Sequence, residues 1–188
     1  LRSGASEPLG APYFSASLFT LTRTRAVWLM ILALAATLTV NVLNFFQDAL
    51  QSAIKLSLFI PLLIGIGGNI GSQSATIIIR AMALGEVRFS DVFAVILREV
   101  RVGFFLGMTL GTIALIVVGP FFGWEIAFIL GCSLLSVAVL AAFAGSLLPM
   151  LAKRIGIDPA VVSAPIISTL VDASGLVIYF YFASIVLN

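Results

Sequence analysis

Five long apolar runs dominate this chain, and each is long enough to cross a membrane as a helix. The runs are 26–46, 53–84, 102–122, 126–151 and 160–187. A transmembrane helix needs about 20 apolar residues, and inside lipid only helices and closed barrels satisfy every backbone polar group. Charged residues make up only 10% of the 188 residues, whereas soluble domains carry about 25%. The sequence therefore predicts an all-α integral membrane protein with five transmembrane helices per protomer.

The segments outside these runs complete the expected organisation. Residues 86–101 carry apolar side chains at helical spacing among charged ones, which predicts an interfacial amphipathic helix between transmembrane helices two and three. The first residues, LRSGASEPLGAP, show no helical periodicity. We expect 1–21 to be a linker or a remnant of cloning, and 22–188 to be one five-helix transmembrane domain. Because the chain does not begin with Met, we also expect it to be part of a longer protein.

The basic residues are distributed unevenly over the two ends of the predicted helices. Nine of the ten Lys and Arg residues fall before the first run, around the second connection or in the fourth connection, and the exception is Lys55. Basic residues favour the cytoplasmic side. This pattern predicts a cytoplasmic N-terminus and an external C-terminus in the plasma (inner) membrane.

Asp172 lies in the middle of the last apolar run, which contains no other charged residue. A carboxylate at bilayer depth costs about 2.5–3.5 kcal/mol on insertion scales. A cation from solution would offset this cost. The alternative is a protonated Asp172 that is hydrogen-bonded inside the bundle. Ser168 lies one turn earlier, on the same helix face.

The second run contains the glycine-rich segment PLLIGIGGNIGSQSA at 61–75. Pro61 and four glycines weaken helical structure, so we expect irregular backbone here that exposes carbonyls to a hydrated ion. The alternative is close helix packing through Gly67 and Gly71, which have GxxxG spacing. Asn69 and Gln73 are four residues apart and share a face, which favours a polar pathway.

The third run has a glycine stripe without polar side chains. Gly103, Gly107 and Gly111 recur every four residues, and this pattern is typical of close helix packing.

Several kinds of chemistry are excluded or disfavoured by composition. The chain has no His and one Cys, Cys132, which removes zinc sites of the usual kind and disulfides. A bound metal must then use oxygen ligands, which suit Mg²⁺ or Ca²⁺. The net charge of +2 is too small to indicate nucleic acid as a partner. Aspartyl proteases in membranes need two acids in one site, and only Asp172 lies at depth, so we predict no enzymatic activity and no catalytic residues.

Three segments together resemble the MgtE family of magnesium channels and transporters. They are PLLIGIGGNIGSQSA at 61–75, REVRVG at 98–103 and DPAVVSAPIISTLVDASGL at 158–176. The resemblance covers residues 22–187. It implies a homodimer in which transmembrane helices two and five line an ion pathway on the dimer axis. It also implies that hydrated Mg²⁺ is transported into the cytoplasm and is bound in the pore.

The resemblance further assigns candidate Mg²⁺-binding residues and a missing partner. Asp172 matches the acid that holds the hydrated ion, while Gly65, Gly68 and Ser168 match positions where carbonyls face its water shell. Asn69 adds a polar group, and Glu99 and Asp158 match acids near the cytoplasmic mouth. These candidates are Asp172, Ser168, Gly65, Gly68, Asn69, Glu99 and Asp158. Family members usually carry a cytoplasmic regulatory domain, which we expect the full-length protein to carry outside this sequence. The alternative function is an ion- or proton-coupled transporter of another divalent cation that uses Asp172 as its carrier site.

Overall fold

A computed structural model describes residues 17–47 and 54–187, and the described chain is built from helices. The six α-helices are α1 (Leu18–Phe45), α2 (Ile54–Ser57), α3 (Ile60–Ala83), α4 (Val92–Phe122), α5 (Trp124–Arg154) and α6 (Pro159–Leu187). A 3₁₀ turn, Phe89–Asp91, precedes α4. Within the described ranges, five segments are long and apolar enough to cross a membrane. The prediction of an all-α membrane protein with five transmembrane helices is confirmed.

The helix boundaries differ from the apolar runs mainly at their polar ends. α1 begins at Leu18, inside the segment predicted as a linker, and most of that predicted linker lies outside the described residues. Residues 92–101, predicted as part of an interfacial helix, are helical and continue into the third transmembrane segment as one 31-residue helix. The amphipathic segment is therefore the first part of α4.

The glycine-rich segment 61–75 does not have the irregular backbone that its sequence predicts. α3 is continuous from Ile60 to Ala83, with Pro61 in its first turn, where the missing N–H of proline removes no helical hydrogen bond. The interruption lies earlier, at residues 58–59, between α2 and α3. Continuous helix prevails because every backbone group in lipid needs a partner, and the helix supplies it.

Small residues bring α3, α5 and α6 into close contact. A Cβ added at Gly67 would lie 2.7 Å from Cγ1 of both Val137 and Val171, and one at Gly71 would overlap Ile167. These contacts show that Gly67 and Gly71 serve helix packing, which is the alternative reading of the GxxxG pair.

The glycine stripe of α4 packs against the backbone of α5, as predicted. A Cβ at Gly103 would lie 2.7 Å from the carbonyl oxygen of Ala138, and one at Gly111 would lie 2.9 Å from that of Gly131. The register shows that α4 and α5 are antiparallel. Gly123, with φ of +102°, makes the turn between them, in a conformation that favours glycine.

The core of the bundle is centred on α5, whereas α1 is peripheral. α5 contacts α3, α4 and α6, and α1 makes its main contacts with α6. At the opposite end from the turn that joins α5 to α6, the Tyr179 hydroxyl donates a 3.0 Å hydrogen bond to the carbonyl of Leu56. This bond ties α6 to the short helix that precedes the break.

Candidate functional site

The backbone of α3 comes close to Asp172 and Ser168 of α6 at Gly68. A Cβ added at Gly68 would lie 3.6 Å from Ser168 Oγ and 3.9 Å from Asp172 Oδ1. The one-turn spacing of Ser168 and Asp172 places both side chains on this face. The structure therefore brings together three of the seven predicted site residues, near the middle of α6.

The Asp172 carboxyl group is incompletely satisfied within one chain. Its Oδ1 is buried and has no hydrogen-bond partner among the described residues. A buried polar oxygen without a partner carries a desolvation penalty of about 1–3 kcal/mol. A neutral Asp172 with both oxygens paired inside the bundle does not match this geometry. The arrangement leaves one carboxylate oxygen available to a cation or to water bound to a cation.

An exposed polar stripe follows one face of α3. Asn69, Gln73, Thr76 and Arg80 are spaced by four, three and four residues, and all four are exposed. The shared face of Asn69 and Gln73 is as predicted. Thr76 and Arg80 were not predicted from the sequence, although the same helical spacing continues to them. Polar side chains at membrane depth face protein or water rather than lipid, so this face requires a polar neighbour.

Gly65 lies on the same exposed side of α3 as the polar stripe. An added Cβ there would meet no atom within 4 Å. Gly65 and Asn69 are therefore open to whatever covers this face, and one chain alone does not bring them against Asp172.

The two remaining predicted site residues lie away from Asp172, near the first residues of α4 and α6. Glu99, in the first turns of α4, is only 9% exposed. It lines a cavity of about 460 Å³ together with Glu86 and Arg98. Asp158 is exposed and directly precedes α6. Neither residue joins Asp172 in a single site.

The described residues of one chain contain no group of three or more His, Cys, Asp or Glu side chains that could hold a metal ion. Among residues 17–47 and 54–187, one chain places the carboxyl group of Asp172 beside a serine and a glycine. Such a set suits an ion that keeps most of its water ligands, because few protein oxygens are available to replace them.

The chain matches the model of a known protein family. A family model described as "MgtE: Divalent cation transporter" matches residues 60–182. The chain belongs to the MgtE family. The matched region includes α3, α4, α5 and most of α6, and it therefore contains all seven predicted MgtE site residues. The resemblance noted from the sequence motifs is confirmed.

Individual MgtE relatives resemble the chain along most of its length. A protein named magnesium transporter MgtE from Thermus thermophilus is 37% identical over 98% of this chain. Proteins of the same name from Enterococcus faecalis and Bacillus subtilis are 35% and 30% identical over 85% of the chain. The chain spans 36 to 41% of the length of these three MgtE relatives.

Proposed function

We propose that this chain forms a homodimeric pore that moves hydrated Mg²⁺ across the plasma membrane into the cytoplasm. The observation that carries the proposal is the Oδ1 atom of Asp172 at the middle of α6, which lies beside Gly68 and Ser168 and has no hydrogen-bond partner in the part of the chain that the structure describes. The family match supports a divalent cation as the transported ion. The relatives named magnesium transporters support Mg²⁺ within that class.

A second copy of the chain would complete the site. Mg²⁺ in proteins is held by one or two carboxylates and keeps several waters, and a two-fold axis beside α3 and α6 would supply two Asp172 side chains. The same axis would cover the exposed stripe of Asn69, Gln73, Thr76 and Arg80 with its own copy. A water-filled gap between two such faces would satisfy polar groups that lipid would leave without partners.

The ion is proposed to remain hydrated as it passes. Gly65 and Gly68 lack side chains that would narrow the gap, while Asn69 and Ser168 offer polar groups to a water shell. Glu99 and Asp158 would attract cations at the cytoplasmic mouth, because Glu99 lies in the first turns of α4 and Asp158 directly precedes α6. The orientation proposed from the basic residues places the N-terminus in the cytoplasm and the C-terminus outside.

The dimer arrangement is testable by chemical cross-linking. In a chain whose native cysteine is replaced, Gln73→Cys should form covalent dimers with a short bifunctional thiol reagent in membranes. Ile113→Cys provides a matched control, because Ile113 is also exposed in one chain but lies on α4. Cross-linking at residue 113 without cross-linking at residue 73 would contradict an axis beside α3.

The hydrated-ion mechanism predicts a specific order of competing ions. Proteoliposomes that contain the protein should take up Mg²⁺ in preference to Ca²⁺, because Ca²⁺ takes 6–8 ligands in flexible geometry and a site spaced for an octahedral hydrate suits it less well. Cobalt hexammine has the size of the hydrated ion and exchanges its ligands slowly, so it should compete with Mg²⁺. Uptake of Ca²⁺ that equals Mg²⁺ uptake, without inhibition by cobalt hexammine, would count against the proposal. Single-channel currents would distinguish a pore from a coupled carrier.

The greater length of the relatives suggests how transport by the full-length protein is regulated. Because the chain spans 36 to 41% of their length, we propose that the full-length protein carries a cytoplasmic regulatory region. That regulatory region would act on the pore domain in the membrane, which is residues 22–188 of this chain.

A further inference from the structure

A basic cavity lies at the end of the bundle where α3 and α5 end, away from Asp172. It has a volume of about 400 Å³ and is lined by the cationic side chains of Arg88, Lys153 and Arg154 together with apolar groups such as Met82 and Met150. The described residues that line it include no carboxylate. The proposed pore uses none of these residues, so the function proposed above leaves the cavity unexplained.

Two of the three cations are held in place by the protein. The Lys153 ammonium donates a 3.1 Å hydrogen bond to the carbonyl of Met82, in the last turn of α3. The Arg154 guanidinium lies 4.2 Å from the centre of the Phe89 ring, within the range of a cation–π contact. Since these side chains are already ordered, a ligand would lose less conformational entropy on binding.

The cations retain donors for an anion. An ammonium group has three N–H donors and a guanidinium has five, and the hydrogen bond from Lys153 to Met82 uses one of the three. Of the two acids close to Arg88 in sequence, Glu86 lines the other cavity, and Asp91 accepts a 2.9 Å hydrogen bond from the backbone N–H of Arg88. The cavity therefore offers a concentrated positive charge at the end of two helices. Their carbonyl ends carry partial negative charge, which the bond from Lys153 partly offsets.

The surroundings of the cavity indicate a lipid and not a soluble anion. Lys153 and Arg154 form the last turn of a membrane-spanning helix, so the cavity lies at headgroup level. Leu84, Phe93 and Ile155 nearby in sequence are all more than 60% exposed and offer apolar surface for acyl chains. Basic pockets between transmembrane helices bind the headgroups of acidic lipids, and guanidinium groups match phosphate oxygens in pairs.

We propose that Arg88, Lys153 and Arg154 form a binding site for the phosphate headgroup of an acidic phospholipid. Phosphatidylglycerol is the probe, and phosphatidylcholine with the same acyl chains is the zwitterionic comparison, whose phosphate is balanced by its own ammonium group. Native mass spectrometry of the purified protein measures the binding of each lipid directly and does not depend on ion transport. The proposal of a lipid site can therefore be refuted while the pore proposal stands, and the reverse also holds.

The test uses a double variant, Arg88→Gln with Arg154→Gln, and leaves Lys153 in place because it caps α3. The matched control is Arg23→Gln with Arg101→Gln, which removes two exposed cations that do not line the cavity. Loss of two basic residues near a lipid surface should weaken phosphatidylglycerol binding by about thirty-fold. Arg154→Gln alone should weaken it by about five-fold, which provides a second variant if the double variant does not fold.

The expected result is preference for phosphatidylglycerol in the wild type and in the control, and loss of that preference in the double variant. Equal loss in the control would show that general surface charge is responsible and would overturn the site. Unchanged binding in both cavity variants would also overturn it. Glycerol phosphate that displaces the lipid at equal concentration would show a soluble-phosphate site and refute the lipid assignment.

Discussion

The adjacent glycines of α3 should respond in opposite ways to the same substitution. A Cβ at Gly67 would lie 2.7 Å from Cγ1 of Val137 and of Val171, whereas one at Gly68 would lie 3.6 Å from its nearest neighbour, Ser168 Oγ. Carbon atoms pack at about 3.5–4.0 Å. Gly68→Ala therefore fits without movement, while Gly67→Ala requires its neighbours to shift by about 0.8 Å or more.

The difference in the free energy of unfolding between Gly67→Ala and Gly68→Ala follows from two terms. Replacing glycine by alanine inside a helix gains about 1 kcal/mol at either position, so this term cancels between the two variants. What remains is overpacking at Gly67, which costs about 1–3 kcal/mol. The neighbouring valines cannot relieve it easily, because both are 1% exposed and valine has few accessible rotamers. Gly68→Ala should be more stable than the wild type by up to about 1 kcal/mol.

Reversible unfolding in mixed detergent micelles, with sodium dodecyl sulfate as the denaturant, measures both free energies of unfolding. Gly68→Ala should unfold at a higher denaturant fraction than the wild type, and Gly67→Ala at a lower one. The methyl group at residue 68 faces Asp172, so the more stable variant should nevertheless show reduced Mg²⁺ uptake. If both variants shift by the same amount in the same direction, the packing described between α3 and its two neighbours is wrong.

Two further predictions concern the bundle ends. Tyr179→Phe should lower the free energy of unfolding by about 0.5–1.5 kcal/mol, because the carbonyl of Leu56 loses the hydroxyl donor and keeps the backbone N–H of Phe59. Tyr181→Phe, at a 61% exposed residue, should match the wild type in the same unfolding assay. In a chain whose native cysteine is replaced, Trp124→Cys should react with an impermeant thiol reagent added outside cells, and Ile155→Cys should react only after the cytoplasmic side is opened, as the basic residues predict. The reverse labelling pattern would overturn the orientation.

Hydropathy predicted the five membrane-spanning segments because apolar length is itself the physical requirement for crossing lipid. The packing role of the glycine stripe, Gly103, Gly107 and Gly111, could also be predicted from the sequence, since close helix approach needs small residues at this spacing. The sequence could not show that α5 is the partner of this stripe. That pairing depends on the tertiary arrangement, which local spacing does not encode.

The low helix propensities of residues 61–75 predicted an irregular backbone, and this prediction was wrong. Each glycine costs about 1 kcal/mol in a helix, but lost backbone hydrogen bonds in lipid cost several kcal/mol each, and the contacts of Gly67 and Gly71 with neighbouring helices add packing. The true break at residues 58–59 had a signal in Pro61, because proline commonly occupies the first turn of a helix.

Within the candidate site, the sequence singled out Asp172 because an isolated acid in an apolar run is unusual. It also placed Ser168 on the same face through helical periodicity. The approach of Gly68 to both required the structure, because it depends on the register between α3 and α6. The roles of Glu99 and Asp158 stay predictions, as both lie apart from Asp172 in one chain.

Mg²⁺ uptake by proteoliposomes that contain Asp172→Ala or Asp172→Asn tests the central claim most directly. Glu125→Gln is the control, because Glu125 is an exposed acid at the start of α5. Both Asp172 variants should elute as folded protein and unfold no earlier than the wild type. Oδ1 of this carboxyl group is buried without a hydrogen-bond partner among the described residues, so its removal relieves a desolvation cost. They should show no Mg²⁺ uptake above empty vesicles, while Glu125→Gln transports normally. Wild-type Mg²⁺ uptake by folded Asp172→Ala would contradict the assignment of Asp172 as the ion site.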